Sequence, residues 1–309
     1  MLDETFMKRS GMSKPACLNP KSQISNSKKK PNLKSENIPS EPAEPKRSIL
    51  RNVRYLGLVF GFWTLGFCPL IAASPQPQIV ALAPPDHGFF TKQLDFHGIP
   101  IKAPRVVVDA ALFAAYDRLS MLLSNQPNVI SNLAAAGAEL HIIGRDQVTT
   151  DLPEWRHDKG VKLREYNGLT RDERTRGMGG LLTSCGEENL LKLEKDRYHG
   201  RDICIHEFAH NVRNHGVPRD VRAKFDEQYK RSLEKGLWQK SYAGSNPDEF
   251  FAETTMWYFG THGDLHMTGS KPENGPEGLK KYDPHAFALL DDFYSGRMKM
   301  PRIEGHQRN

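Results

Sequence analysis

The chain has 309 residues, of which 38% are apolar and 26% charged, a composition typical of globular proteins and sufficient for one large domain or two ordinary ones. The formal charge of +6 comes from residues 1–54, which carry 12 Lys and Arg against 5 Asp and Glu, whereas the remainder has 31 basic and 32 acidic residues. This near-neutral remainder gives no support to a nucleic-acid partner, and four cysteines without a Cys-x-x-Cys pair argue against a zinc ribbon or a disulfide framework.

The N-terminal part of the chain divides into two segments. Residues 1–54 are rich in Ser, Lys, Asn and Pro without an apolar period, so we predict a disordered basic leader. Residues 55–73 are uncharged, follow Arg51 and Arg54, and end in small residues suited to cleavage. This pattern is typical of a signal peptide, although the length also allows a retained membrane anchor. We expect an exported protein (secreted, periplasmic or at the cell surface), with a membrane-anchored protein as the alternative.

The rest of the chain predicts one α+β domain with a small mixed sheet. Residues 74–90 are predicted to be a Pro-rich linker, 91–298 the domain and 299–309 a tail. Apolar periodicity and turn residues predict strands at 94–101, 140–143 and 161–166, and helices at 106–123, 129–136, 202–216, 246–259 and 283–296. Residues 271–282 are rich in Gly, Pro and Lys and are predicted to be a loop.

The segment His206-Glu207-Phe208-Ala209-His210 carries the strongest chemical signal. Asp202 is a suitable N-cap, and Gly216 and Pro218 end the predicted helix, so the pattern H-E-x-x-H lies on a helix. At a spacing of four residues both imidazoles project from one face and can bind one metal ion, while Glu207 reaches the water that the metal activates. Two histidines that serve packing alone are the less favoured alternative.

A catalytic zinc site needs a third protein ligand and an open coordination position. The metzincin pattern is disfavoured, because Arg213 and Gly216 stand where that family places Gly and His or Asp. Glu249 is the better candidate, since Glu253 lies one turn further on the same predicted helix and can orient a ligand imidazole through its free N–H. Glu249 also follows Asn246 by three residues and could simply complete a capping box, so the residues alone leave both interpretations open.

These residues resemble a known family. The H-E-x-x-H segment, the sequence Glu249-Phe250-Phe251-Ala252-Glu253 and Tyr242, seven residues ahead of Glu249, are similar to the catalytic domain of anthrax-toxin lethal factor and its gluzincin relatives. The resemblance extends from about Gly186 to Tyr294. It implies a zincin-like metalloprotease fold with an active-site helix and a second, glutamate-bearing helix. Toxin activity and the toxin's substrate are not implied, since its large recognition domains have no counterpart here.

The resemblance also implies a role for each residue of the site. His206, His210 and Glu249 would bind one Zn²⁺ per chain, Glu207 would be the catalytic carboxylate, Glu253 would support the site from behind, and Tyr242 would direct its hydroxyl at the oxygen on the metal.

Gly179 and Gly180 belong to a glycine-rich stretch that matches neither a dinucleotide-binding nor a Walker motif. In zincins an edge strand ahead of the active helix pairs with extended substrate, and glycines permit close backbone approach, so both are candidate substrate-binding residues. A flexible turn before a strand is an equal alternative. Glu187 and Glu188 follow and are predicted to lie in a solvated turn, where they could influence substrate charge preference.

Two other pairs of residues have open interpretations. Cys185 and Cys204 could form a disulfide in an oxidising compartment, or Cys204 could serve as a small buried apolar residue. His262 and His266 repeat the spacing of four, but the glycines around them predict a loop rather than a second metal site.

We therefore expect an exported zinc-dependent endopeptidase acting on a peptide or protein substrate, with no nucleic-acid partner. Membrane attachment through residues 55–73 remains an option, and the sequence does not determine the oligomeric state. A catalytically inactive zincin-like binding module and a zinc hydrolase of a non-peptide amide bond are the alternatives.

Overall fold

The computed structural model describes residues 76–263 and 271–304. The predicted leader at 1–54, the predicted signal or anchor at 55–73 and the end of the predicted tail lie outside these ranges, so their interpretations stay predictions. Within the described ranges, no helix combines the length and the apolar character that crossing a bilayer requires.

Six strands form one mixed sheet in the described part of the chain. They are β1 (Ile79–Asp86), β2 (Phe90–Phe96), β3 (Ile99–Ala103), β4 (Glu139–Ile143), β5 (Gly177–Met178) and β6 (Leu182–Gly186). Their spatial order is β1-β2-β3-β4-β6-β5. The first three strands are antiparallel neighbours, β4 is parallel to both β3 and β6, and β5 is antiparallel to β6. One side of β5 is therefore an edge unpaired with any described strand.

Nine α-helices accompany the sheet in the described ranges. They are α1 (Asp109–Leu123), α2 (Pro127–Ala136), α3 (Arg171–Arg174), α4 (Glu187–Leu190), α5 (Ile203–Asn211), α6 (Arg219–Glu234), α7 (Pro247–Tyr258), α8 (Pro276–Tyr282) and α9 (Pro284–Tyr294). The helix α5 continues as a π-helical turn through Val212–Gly216. The predicted α+β class is confirmed, as are both helices that carry the candidate ligands.

The core lies between the sheet and the longer helices. Of the apolar residues at helical spacing, Leu112, Ala115, Leu119 and Leu122 are buried on α1, whereas Val108 is the N-cap and is 41% exposed. The helix α5 packs between α1, β6 and α7. Phe90, Ile143 and Leu152 form a separate small cluster. This packing holds α5 against the β6–β5 end of the sheet.

Three predictions about the first strands and their connections are wrong. Residues 74–90 are not a linker throughout, because β1 occupies Ile79–Asp86 and pairs with β2. The single strand predicted at 94–101 is a hairpin, since His97 and Gly98 adopt positive φ values of 51° and 90° and reverse the chain. The strand predicted at 161–166 is a 3₁₀ turn beyond an isolated bridge at Lys162, because Gly160, Asn167 and Gly168 all have positive φ.

Of the helices that the sequence analysis did not predict, α8 and α6 contribute to the packing around α7. The loop expected at 271–282 contains α8, which begins with Pro276 at its first position and buries Leu279 completely. The amphipathic helix α6 packs Phe225 edge-on against Phe251 of α7 and Phe293 of α9. This aromatic cluster joins α7 to α6 and α9.

Candidate metal centre

Helix α5 presents the two histidines of the H-E-x-x-H pattern on one face. The side chain of Asp202 caps the helix by accepting a hydrogen bond from the backbone N–H of Ile205. One turn separates His206 from His210, and their Nε2 atoms lie 3.2 Å apart. The two rings therefore direct one nitrogen each toward a common point, as the spacing predicts.

Helix α7 brings Glu249 to the same point. Asn246 caps this helix, with its Oδ1 accepting the backbone N–H of Glu249 at 3.0 Å, and Pro247 occupies the first position. The carboxylate of Glu249 faces the histidines, with Oε2 lying 3.2 Å from His206 Nε2 and 3.6 Å from His210 Nε2. Only the backbone of Glu249 thus serves the cap, and its carboxylate takes no part in a capping box.

The three side chains form a group that can hold a metal ion. Their nearest donor atoms lie within 4.8 Å of one another, and the buried Oε2 of Glu249 has no hydrogen-bond partner among the described residues. Although burial opposes charge, the carboxylates Glu249 and Glu253 raise the pKa of His206 to about 10, and the two histidines hold the pKa of Glu249 down at about 2. Two imidazoles and a carboxylate that converge in this way fit a zinc site with one open position.

Glu207 lies beside this group on α5. Burial raises the pKa of its carboxyl above the ordinary value, while the neighbouring His206 and His210 oppose that shift. Raising the pKa of a carboxylate toward neutrality improves it as a general base.

Tyr242 approaches from the 3₁₀ turn Tyr242–Gly244 ahead of α7. Its hydroxyl donates a hydrogen bond to Oε1 of Glu249 at 3.0 Å, and its ring lies nearly parallel to that of His206. The side chain is 47% exposed, so the hydroxyl is at the open side of the centre. Partial burial and the Glu249 carboxylate raise the pKa of Tyr242 well above its usual value, so the hydroxyl keeps its proton at neutral pH.

Glu253 lies on the side of His206 that faces away from the candidate metal position, next to Nδ1 rather than Nε2. Its side chain is only 2% exposed, and one carboxylate oxygen is 3.0 Å from Nδ1 of His206. Burial would raise its pKa, but His206, His262 and Arg201 outweigh burial and keep the pKa well below the usual range. An ionised carboxylate at Nδ1 leaves the other ring nitrogen of His206 free to bind a cation.

The glycine-rich strand β5 passes directly over α5. A Cβ on Gly177 would lie 2.7 Å from Ile203 Cγ2, and one on Gly179 would lie 3.0 Å from His210 Cβ and 3.2 Å from Glu207 Oε2. Gly180, with φ of 118°, has no such close neighbour. The structure therefore brings Gly179 into the centre and leaves Gly180 at the following turn.

Comparison with known proteins gives the family. The family described as anthrax toxin lethal factor, N- and C-terminal domain, matches residues 117–292, which is more than half of the chain. The chain belongs to this family. The matched range contains every candidate residue of the metal centre, from Gly179 to Glu253, so the resemblance inferred from the two motifs is confirmed.

A solved structure is also similar to this member of the lethal factor family. The Pro-Pro endopeptidase PPEP-2 from Paenibacillus alvei has 18% sequence identity and a TM-score of 0.46, over 63% of this chain and 97% of that protein. No curated protein sequence matches the chain.

Sequence reasoning missed two residues next to Glu253. Arg201 forms an ion pair with Oε1 of Glu253, and Nε2 of His262 lies 2.8 Å from Oε2. The doublet His262 and His266 had suggested only a disfavoured second metal site, and His266 lies outside the described residues. Neither residue belongs to the family's two motifs, so the residue spacing could not predict that Arg201 and His262 contact Glu253.

The pair Glu187 and Glu188 does not lie in a solvated turn, so that prediction is wrong. Both are buried at the start of α4, where Glu187 pairs with Arg145 and Glu188 with Arg176. Since buried carboxylates need such partners, these acids are structural in this family member.

Cys185 and Cys204, the cysteines within the described residues, are buried free thiols whose side chains are in contact with each other.

Proposed function

We propose that the protein is a zinc-dependent endopeptidase. The convergence of Glu249 Oε2 with the Nε2 atoms of His206 and His210, from two separate helices, carries this proposal. Membership in the lethal factor family supports it independently. Bound zinc supplies a Lewis acid that polarises a carbonyl group and acidifies water.

The residues around the centre would act in order on water and peptide. Glu207 takes a proton from the attacking water and returns it to the departing amine, a role for which its raised pKa suits it. Tyr242 keeps its hydroxyl proton and can donate a hydrogen bond to the oxyanion that develops at the carbonyl. The Glu253 carboxylate lies 3.0 Å from Nδ1 of His206, which favours a proton on that nitrogen and leaves Nε2 free.

The strand β5 supports a peptide over a non-peptide substrate. Its outer edge has no described strand beside it, so an extended peptide can add to the sheet by main-chain hydrogen bonds. Gly177 and Gly179 bring this edge within contact distance of α5. A peptide added there would pass the carboxylate of Glu207.

The test uses the purified full chain and a mixed peptide library read by mass spectrometry. We expect about one zinc per chain and cleavage at internal peptide bonds. The Glu207→Gln variant should keep the metal and lose a factor on the order of 10² to 10⁴ in turnover. Glu194→Gln, at an exposed position away from the centre, is the matched control and should cleave normally.

Two outcomes would replace the proposal. A zinc-loaded chain that cleaves no library peptide, with Glu207→Gln indistinguishable from it, supports an inactive binding module. Hydrolysis of non-peptide amides without peptide cleavage supports the non-peptide hydrolase.

We also propose that the reaction takes place outside the cytoplasm, on the basis of residues 55–73. Expression of the full chain in a secreting host should give an exported product that begins near Ser74. An uncleaved product in membranes would support the anchor, and an uncleaved soluble product inside the cell would contradict both.

A further inference from the structure

We propose that His262 is a positioning residue of the metal centre, acting through Glu253 on His206. This inference rests on the proposed zinc site and extends it to a residue outside the ligand motifs. It assigns His262 a defined effect on zinc affinity.

The first observation is the environment of the Glu253 carboxylate. Oε1 faces Nδ1 of His206 at 3.0 Å and pairs with Arg201, whereas Oε2 faces Nε2 of His262 at 2.8 Å. Glu253 and His262 are 2% and 1% exposed, so water cannot replace either partner. Without the His262 N–H, Oε2 would be a buried acceptor with no partner, which is costly for a carboxylate.

The second observation is that His262 is itself held rigidly. Its ring stacks on Trp257 of α7 with centroids 3.4 Å apart and planes 13° apart. The carbonyl of the preceding residue, Thr261, accepts the backbone N–H of Asp202, the N-cap of α5. His262 is therefore anchored at once to the helix that carries Glu249 and to the start of the helix that carries the histidines.

The consequence concerns orientation. A carboxylate fixed at both oxygens stays beside Nδ1 of His206 at 3.0 Å, and this ion-pair contact restricts the ring that directs Nε2 at the metal position. If the hydrogen bond to Oε2 is lost, the Glu253 carboxylate can rotate, and His206 loses a partner held in a fixed position. Losing outer-shell partners of ligand histidines typically weakens metal binding about 10- to 100-fold.

The experiment measures zinc affinity of the full chain by competition with a chromogenic chelator. His262→Phe keeps a ring on Trp257 and removes the N–H. His262→Gln keeps a donor near the position of Nε2 and removes the stacked ring. His157→Phe, at an exposed histidine, is the matched control.

We expect His262→Phe to bind zinc about 10-fold more weakly, and His262→Gln and His157→Phe to bind it close to the wild-type affinity. Urea unfolding of the metal-free proteins should show a loss of stability in both variants, from the unpartnered Oε2 in His262→Phe and from the lost stacked ring in His262→Gln, although only His262→Phe weakens zinc binding. If His262 had a merely structural role, the zinc affinity of each variant would fall in proportion to its loss of stability in the metal-free state.

The inference would be overturned if His262→Phe bound zinc as tightly as the wild type or more tightly. It would also be overturned if the loss of zinc affinity across the variants followed their loss of stability in the metal-free state. Glu249→Ala separates this from the proposed function. If Glu249→Ala also binds zinc normally, the proposed metal centre is wrong. If Glu249→Ala loses zinc but His262→Phe binds it normally, only the role of His262 is overturned.

Discussion

At the scale of single residues, Glu249 meets two demands with different parts of the same residue. Its backbone N–H closes the cap of α7 on Asn246, while its carboxylate faces the two imidazoles of α5. The cap and the proposed metal binding are therefore separable by substitution, although the sequence pattern presented them as alternative interpretations.

We predict that Asn246→Ala lowers the free energy of unfolding of the metal-free protein by about 1 kcal/mol and leaves zinc content unchanged, because only the cap is lost. Glu249→Ala should lose zinc while its N–H still completes the cap. Metal analysis and urea unfolding of both variants check this. Equal zinc loss in the two variants would mean that the cap, and not the carboxylate, determines binding.

At the scale of elements, the spacing between β5 and α5 depends on two glycines. Gly177 and Gly179 are two residues apart in an extended segment, so both face α5, whereas Met178 points away toward Tyr166 and Arg171. A side chain at either glycine would press on the helix that carries both histidines.

We predict that Gly179→Ala weakens zinc binding and turnover by about 10-fold or more, because its Cβ would lie 3.0 Å from His210 Cβ and displace a ligand. Gly180→Ala is the matched control, since it strains the backbone at a φ of 118° but meets nothing within 4 Å. It should lower stability and leave zinc affinity unchanged. The idea fails if Gly179→Ala binds zinc and turns over as the wild type does.

The connection from β5 to α4 depends on a buried ion pair. Nε and Nη2 of Arg176 each donate to one oxygen of the Glu188 carboxylate at 2.7 Å, and Nη2 also donates to the carbonyl of Gly144. This pair ties the segment before β5 to the helix after β6.

We predict that Arg176→Met lowers the free energy of unfolding by about 3–5 kcal/mol, because Glu188 would remain buried without its partner. The double variant Arg176→Met, Glu188→Leu should recover much of that loss. Urea unfolding checks both proteins. A single variant as stable as the wild type would show that water reaches Glu188.

At the scale of the whole molecule, the sheet carries a charged network on the face away from α1. His141 of β4 is buried with Nδ1 2.7 Å from Glu154 and Nε2 2.9 Å from Glu139, and Lys102 lies between Glu139 and Asp86. Both ring nitrogens face carboxylates, so the imidazolium form satisfies them best. Burial opposes this charge, but Glu139 and Glu154 outweigh it and raise the pKa of His141 above 6.5.

We predict that this network makes stability fall as the pH rises above 6.5. The folded state holds the His141 proton more tightly than the unfolded chain, so the stabilisation is complete below pH 6.5 and is lost as the pH passes the raised pKa. Lys102 has a raised pKa and Glu139 and Asp86 have lowered ones, so their contributions change only at more extreme pH.

The measurement is urea unfolding of the wild type and His141→Gln across neutral and alkaline pH. The stability advantage of the wild type should shrink as the pH rises. An advantage that is constant or grows over this range would show that His141 is neutral in the folded protein.

The sequence alone predicted those features that neighbouring residues encode. Asp202 and Asn246 cap α5 and α7 as expected, and the spacing of four residues placed His206 and His210 on one face, because caps and helical periodicity act within one or two turns. Local signals gave wrong predictions at two places. The strand predicted at 94–101 is interrupted by a turn at His97 and Gly98, and the Gly- and Pro-rich segment predicted to be a loop contains a short helix that begins at Pro276.

Only the tertiary structure showed that the Glu249 carboxylate faces the two histidines rather than the helix cap, and where Glu187, Glu188 and His262 lie. Each of these outcomes depends on a partner distant along the chain: the histidines for Glu249, Arg145 and Arg176 for the paired acids, and Glu253 for His262. A buried charge takes its role from the group that neutralises it, and chain folding, not residue spacing, determines which group that is.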